Sequence, residues 1–239
     1  MPNADFAQLR ARFAPQDRGD DHKALPLGLP AIDRALPWGG LALGGLHDVA
    51  DPGDACAPGF CAWLAGRAAQ ALRRPVLWLA AGSLPYAPAL AALGLPPRRL
   101  VTVQARRPAD ALWATEEAAR CPGLAAIIAE LAVPDLIAAR RLHLAAQAGG
   151  TMLVLLNRGA PVPNALTRWR VDPRPTDARA PAPGRAVWRL ALTRCRGTAL
   201  AADSALSWDV EWCDATGNLR LAAGSGDRAA APHWLRAAG

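Results

Sequence analysis

The sequence predicts an α/β fold in which a mostly parallel central sheet is flanked by helices and continued by an antiparallel C-terminal extension. Three observations carry this. Apolar runs of strand length, such as residues 75–80 (PVLWLA) and 151–156 (TMLVLL), alternate with helix-length segments, as they do where parallel strands are buried on both faces. The last third of the chain switches to period-two alternation of apolar and polar residues, the pattern of antiparallel strands. The 239 residues, 52% of them hydrophobic, supply a core large enough for one domain.

Taken in order, residues 1–24 read as an arm: charges alternate, and Phe6, Leu9 and Phe13 give the one helix-like apolar spacing. A domain then runs over 25–223, and 224–239 form a small, polar tail. Within the domain, 31–36 is a short helix with Ile32 and Leu36 on one face, and 46–50 is a strand. Residues 59–72 form a helix of small residues, followed by strands at 75–80 and 100–104. A helix at 109–120 turns Leu112 and Thr115 inward and Glu116 and Glu117 outward; a strand at 124–130 follows. The next helix, 135–148, is preceded by Pro134 and stopped by Gly149 and Gly150, and Arg140, Arg141 and His143 occupy its flank, a solvated face or a partner site. After the strand at 151–156, segments 169–171, 186–194, 207–213 and 218–222 read as antiparallel strands, with 173–184, rich in proline, as a loop. In 208–212 the two tryptophans and Val210 share the buried face and the acids the other.

Composition excludes several classes. Five cysteines, scattered and never spaced as CxxC, give neither a disulfide framework nor a zinc site, and His22, His47, His143 and His233 form no ligand pattern. No metal and no cofactor is expected. No apolar run reaches transmembrane length and the first 18 residues lack a signal core, so a cytoplasmic location is the expectation. The formal charge of +7 is unevenly placed: residues 140–196 hold eleven arginines against Asp172 and Asp177, whereas residues 1–120 carry thirteen bases and eleven acids. A one-sided cationic surface concentrates polyanions, and it equally serves as a solvated or partner-binding face. Arg140, Arg141, Arg158, Arg168, Arg170 and Arg174 are the candidate DNA or partner contacts.

The run Leu27-Gly28-Leu29-Pro30-Ala31-Ile32-Asp33-Arg34-Ala35-Leu36, then Gly39-Gly40, Gly44-Gly45 and His47-Asp48-Val49, resembles the opening of RecA-family ATPase domains. Such an ATPase needs a glycine-rich Walker A loop ending in Lys and Ser or Thr, whose amides, ammonium and hydroxyl hold phosphates and magnesium. Residues 50–60 here read ADPGDACAPGF, with no lysine, two prolines that lack N–H donors, and Asp51 and Asp54 to repel a triphosphate. By the same resemblance, Ala80-Ala81-Gly82-Ser83 stands where the family has its water-activating glutamate, Glu130 where it has the magnesium-linked Asp, and Arg158 where it has the phosphate-sensing Gln. The connections that bind DNA in RecA recombinases, 131–134 and 158–167, are short. The resemblance therefore implies a RecA-like domain without an intact Walker A loop, and no hydrolysis.

Two inactive RecA-like families fit these features. Residues 86–95, 98–103, 110–118 and 138–150, in that order along the chain, resemble the ImuA family, and the likeness spans roughly 25–221. That resemblance implies a non-catalytic adaptor in SOS-induced translesion DNA synthesis and mutagenesis. Its implied partner is an inert Y-family polymerase-like protein of the ImuB type, with RecA, an error-prone replicative polymerase and DNA as further candidate contacts. A SulA-like division inhibitor that binds FtsZ and an atypical weak ATPase are the alternatives.

Overall fold

The computed structural model describes residues 23–53, 56–175, 186–198, 205–213 and 216–222. Nearly all of the expected arm and tail, and residues 176–184 of the expected loop, lie outside the described residues. Elsewhere the α/β architecture is as expected. A nine-stranded sheet has the order β11-β10-β9-β8-β3-β7-β6-β4-β5. Its parallel part comprises β3 (Gly45–Ala50), β4 (Val76–Ala80), β5 (Leu100–Gln104), β6 (Ala126–Glu130) and β7 (Met152–Asn157), with β8 (Thr167–Arg174) parallel to β3. From β8 onward the sheet turns antiparallel through β9 (Val187–Cys195), β10 (Leu206–Cys213) and β11 (Asn218–Leu221).

The opening motif forms a lid over one face. Helix α1 (Pro30–Ala35) sits between β1 (Ala24–Leu25) and β2 (Leu41–Ala42), which pair antiparallel. Asp33 explains the motif's carboxylate: it accepts from the backbone N–H of Leu27 at 2.7 Å and of Gly28 at 3.0 Å, closing the turn before its own helix. On the same face α2 (Cys56–Leu72) packs Phe60, Trp63 and Leu64 against Trp78, Trp169, Trp188 and Trp208. Helix α3 (Ala87–Ala92), a single turn and a half that small residues left without a clear period, adds Leu90 and approaches α2 where Gly66 lies so close to the Gly94 backbone that no Cβ would fit.

The opposite face is covered over β3, β4, β6 and β7 by α4 (Pro108–Ala119) and α5 (Leu136–Gly149). Asp135 caps α5 by accepting from Ala138 N at 2.7 Å, and Gly150, at φ +63°, ends it in the left-handed region that glycine adopts without strain. The core of this second layer contains no residue of β8 to β11.

Three expectations need correction. Glu116 does not face outward: it is 4% exposed, because its carboxylate accepts from Arg120 on its own helix and Arg141 on α5, and this pairing makes burial tolerable. His143 is buried rather than on a solvated flank, with Nδ1 accepting from Leu46 N at 3.4 Å. Pro173 is in a strand and not in the loop, paired with Trp188 of β9; past Arg170, β3 no longer runs beside β8, so a residue without an N–H is tolerated at this edge.

Candidate functional site

The carboxyl ends of β3, β4, β6 and β7 deliver their following loops to one crevice of about 700 Å³, the position where open α/β sheets bind ligands. It is lined by Asp51 and Pro58 after β3, Ala81, Gly82 and Ser83 after β4, Glu130 to Val133 at the end of β6, and Arg158 and Gly159 after β7. A second, more apolar hollow of about 370 Å³ shares Ala81 and 130–133 and continues toward Arg106 before α4 and Pro108 and Leu112 on it.

Charges in the crevice are turned upon one another. Arg158 Nε donates to Asp51 Oδ2 at 3.0 Å. The Asp51 N–H donates to the Asn157 carbonyl at 2.8 Å, Pro52 has none, and the Gly53 N–H donates to Asp51 Oδ1 at 2.9 Å. The described amides of this turn are therefore spent inside the protein. Glu130 accepts from the Trp78 indole at 2.9 Å, which draws its carboxylate back along β4. The Cys61 thiol, one turn into α2, has its pKa pushed far up by burial and then by the charges of Asp51 and Glu130. The residues present do not fit a magnesium triphosphate: the lysine is absent, the described N–H groups of residues 51–53 are engaged within the protein, and two carboxylates line the space.

Behind the crevice a buried polar cluster fixes the loop after β7. Asp48, fully buried on β3, accepts from the Asn157 amide, and its other oxygen accepts from Val162 N at 3.1 Å. Arg168 Nη1 lies 3.5 Å from the same carboxylate but makes no hydrogen bond. Burial raises the Asp48 pKa, against the lowering effects of Val162 N–H, Arg168, Asn157 and Arg194. On the other face of β3, His47 Nε2 faces the Ala42 carbonyl and Nδ1 the Thr167 hydroxyl, both at 2.8 Å. A carbonyl can only accept, so Nε2 carries the proton. These are positioning groups.

The six candidate arginines fall in three settings. Arg140 and Arg141 are exposed on α5, where Arg141 reaches Glu116 and joins α5 to α4. Burial acts to raise the Glu116 pKa, but hydrogen bonds from Arg120 and Arg141 outweigh it and hold the carboxyl below its usual range. Arg158 is at the crevice mouth. Arg168, Arg170 and Arg174 alternate on one face of β8, but Arg168 is committed to Asp48 and its side chain is 17% exposed. Sequence reading missed Asp48, although a lone carboxylate sharing a face with Leu46 in a strand buried on both sides was a signal. It also missed the exposed apolar side chains of the two outer helices, Trp113 on α4 and Leu136, Ile137 and Leu144 on α5.

Among the described residues, no helix is long and apolar enough to cross a membrane and no His/Cys/Asp/Glu cluster is placed to hold a metal. No family model matches the chain. Protein ImuA of Caulobacter vibrioides, from two strains, is 36% identical over 195 residues, covering 72% of this chain and 79% of the relative. Among solved structures, a KaiC-like protein from the hyperthermophilic archaeon Pyrococcus horikoshii superposes with a TM-score of 0.58 at 11% identity, over 84% of this chain and 99% of that one. At that identity the likeness shows the fold alone, and the fold is the RecA type.

Proposed function

The chain belongs to the ImuA family, and from this premise we propose that it is a non-catalytic adaptor in SOS-induced translesion synthesis and mutagenesis. The observation that carries the non-catalytic part is the self-paired crevice: Arg158 and the Gly53 N–H both bind the Asp51 carboxylate, and the Asp51 N–H binds the Asn157 carbonyl, rather than offering a phosphate cradle. A retained RecA-type sheet without that cradle is a scaffold whose value lies in its surfaces.

The partner is an inert Y-family polymerase-like protein, and the surface offered to it is the outer side of α4 and α5. Trp113 is 65% exposed and Ile137 73% exposed, with Leu136 and Leu144 on the same helix as Ile137. Exposed tryptophan and clustered apolar side chains are the ordinary anchors of an interface, and Arg140 and Arg141 beside them supply polar edges. RecA and an error-prone replicative polymerase are further proposed contacts of the assembled system, in a cytoplasmic setting.

Co-purification of the full chain with the polymerase-like protein of its host tests this reading. The expected result is a stoichiometric complex that weakens about tenfold or more in Trp113→Ala with Ile137→Ala, as truncation of interface anchors does. Absence of a complex with the unaltered chain would remove the reading.

A further inference from the structure

The face of the antiparallel extension that no helix covers among the described residues is the second surface. Strand register places Arg168, Arg170, Asp172 and Arg174 of β8 beside Arg194, Ala191, Arg189 and Val187 of β9. Those of β9 lie beside Ser207, Asp209 and Glu211 of β10, and Glu211 beside Arg220 of β11. A β-bulge between Arg168 and Trp169 keeps Arg194 on this face and Cys195 on the other. The opposite face carries Trp169, Val171, Trp188, Leu190, Trp208 and Val210 into the core under α2. Helices α4 and α5 stop at β3, so among the described residues no helix covers the arginines.

With Arg168 balanced by Asp48, this face holds Arg170, Arg174, Arg189, Arg194 and Arg220 against Asp172, Asp209 and Glu211. Asp172 pairs with Arg170 at 2.8 Å, Asp209 with Arg189 at 2.8 Å and Arg174 at 3.6 Å, and Glu211 with Arg220 at 2.5 Å. Arg194 is exposed and has no ion-pair partner among the described residues. Single-contact pairs at a wet surface, such as Arg170–Asp172 and Arg220–Glu211, are worth about 0–1 kcal/mol each, so a phosphate can displace a carboxylate from them at little cost, whereas Arg189 is held to Asp209 by two hydrogen bonds of 2.8 Å and gives up its partner less readily. Arginine's planar fork suits that exchange, because it binds phosphate oxygens through two donors at once.

We infer that this arginine face binds the phosphate backbone of duplex DNA without regard to sequence. The side chains that are missing from it decide against other occupants. Protein interfaces centre on buried apolar anchors, and the apolar side chains here are Ala191, already buried, and half-buried Val187. Single strands are held by stacking bases on aromatic rings, and the tryptophans of these strands all face the core. What remains is a flat cationic patch, about 20 Å along β8 and about 15 Å across four strands, suited to several phosphates of one duplex. The inference narrows the DNA contact left open by the adaptor reading: it draws on Arg170 and Arg174 from the sequence and adds Arg189, Arg194 and Arg220.

Fluorescence anisotropy with the full chain and a labelled duplex of about 20 base pairs tests it, with affinity followed against salt. The triple variant Arg170→Ala, Arg189→Ala, Arg194→Ala should bind about tenfold more weakly or worse at low salt, with the slope of log affinity against log salt reduced by about 2–3. The corresponding Arg→Lys triple should keep most of that slope. Asp172→Asn with Asp209→Asn should bind a few-fold more tightly, a gain that no loss of folding can mimic. Unchanged binding in the folded alanine triple, no gain in the Asn pair, or displacement of the duplex more readily by poly-glutamate or by a single strand would overturn the inference. Because no partner protein is present, duplex binding with these signatures stands even if the polymerase-like complex fails to form, and a complex that forms without them leaves the adaptor reading intact.

Discussion

Strands β3, β4, β6 and β7 are covered on both faces and end at a crevice in which Arg158 pairs with Asp51, whereas, among the described residues, β8 to β11 are covered on one face and carry five arginines on the other. The same residue type does different work in the two regions. Arg168 and Arg158 answer Asp48 and Asp51 and hold loops in place; Arg170, Arg174, Arg189, Arg194 and Arg220 outnumber the acids beside them among the described residues. Arginine count alone therefore does not locate a binding surface. What locates it is whether the carboxylates within reach are enough, and whether a helix lies on top.

The comparison breaks or holds by mutation. Asp48→Ala should have the largest effect, because it leaves Arg168 charged, mostly buried and unpaired and takes the acceptor from Val162 N and Asn157; a loss of about 3–5 kcal/mol in urea unfolding is expected. A loss below about 1 kcal/mol would mean that the covered region is no more dependent on its ion pairs than an exposed surface is. Glu116→Gln should come next, and its mark is pH dependence. The folded-state pKa of Glu116 lies below its ordinary 4.5, so its contribution is present above that pH and is lost as pH falls through the lowered value. The variant should be less stable at neutral pH and show a shallower acid limb below about 4.5, read by thermal unfolding across pH. Asp172→Asn on the arginine face should change stability least, by under about 1 kcal/mol, since its single contact with Arg170 is partly exposed.

Much of the fold was legible because parallel strands announce themselves: the apolar runs that became β4, β6 and β7 have few alternatives at that length. The missing Walker A lysine was legible for a different reason, since it is visible without coordinates. What escaped was decided by partners far along the chain. Glu116 looks solvent-facing until Arg141, 25 residues away, is brought beside it, and its i,i+4 neighbour Arg120 gave half of that answer. The bare arginine face escaped too, because it depends on register across four strands and on helices ending at β3, neither of which a local pattern encodes. Pro173 misled for a related reason: as a loop signal it is strong, and its tolerance at an edge position follows from strand order.

The central claim is that the crevice no longer receives a nucleotide, and isothermal titration of the full chain with magnesium ATP, followed by phosphate release on the same sample, tests it most directly. The account predicts no saturable heat up to millimolar ATP and no turnover above a protein-free control. Saturable, magnesium-dependent binding with turnover that disappears in Glu130→Ala would contradict it.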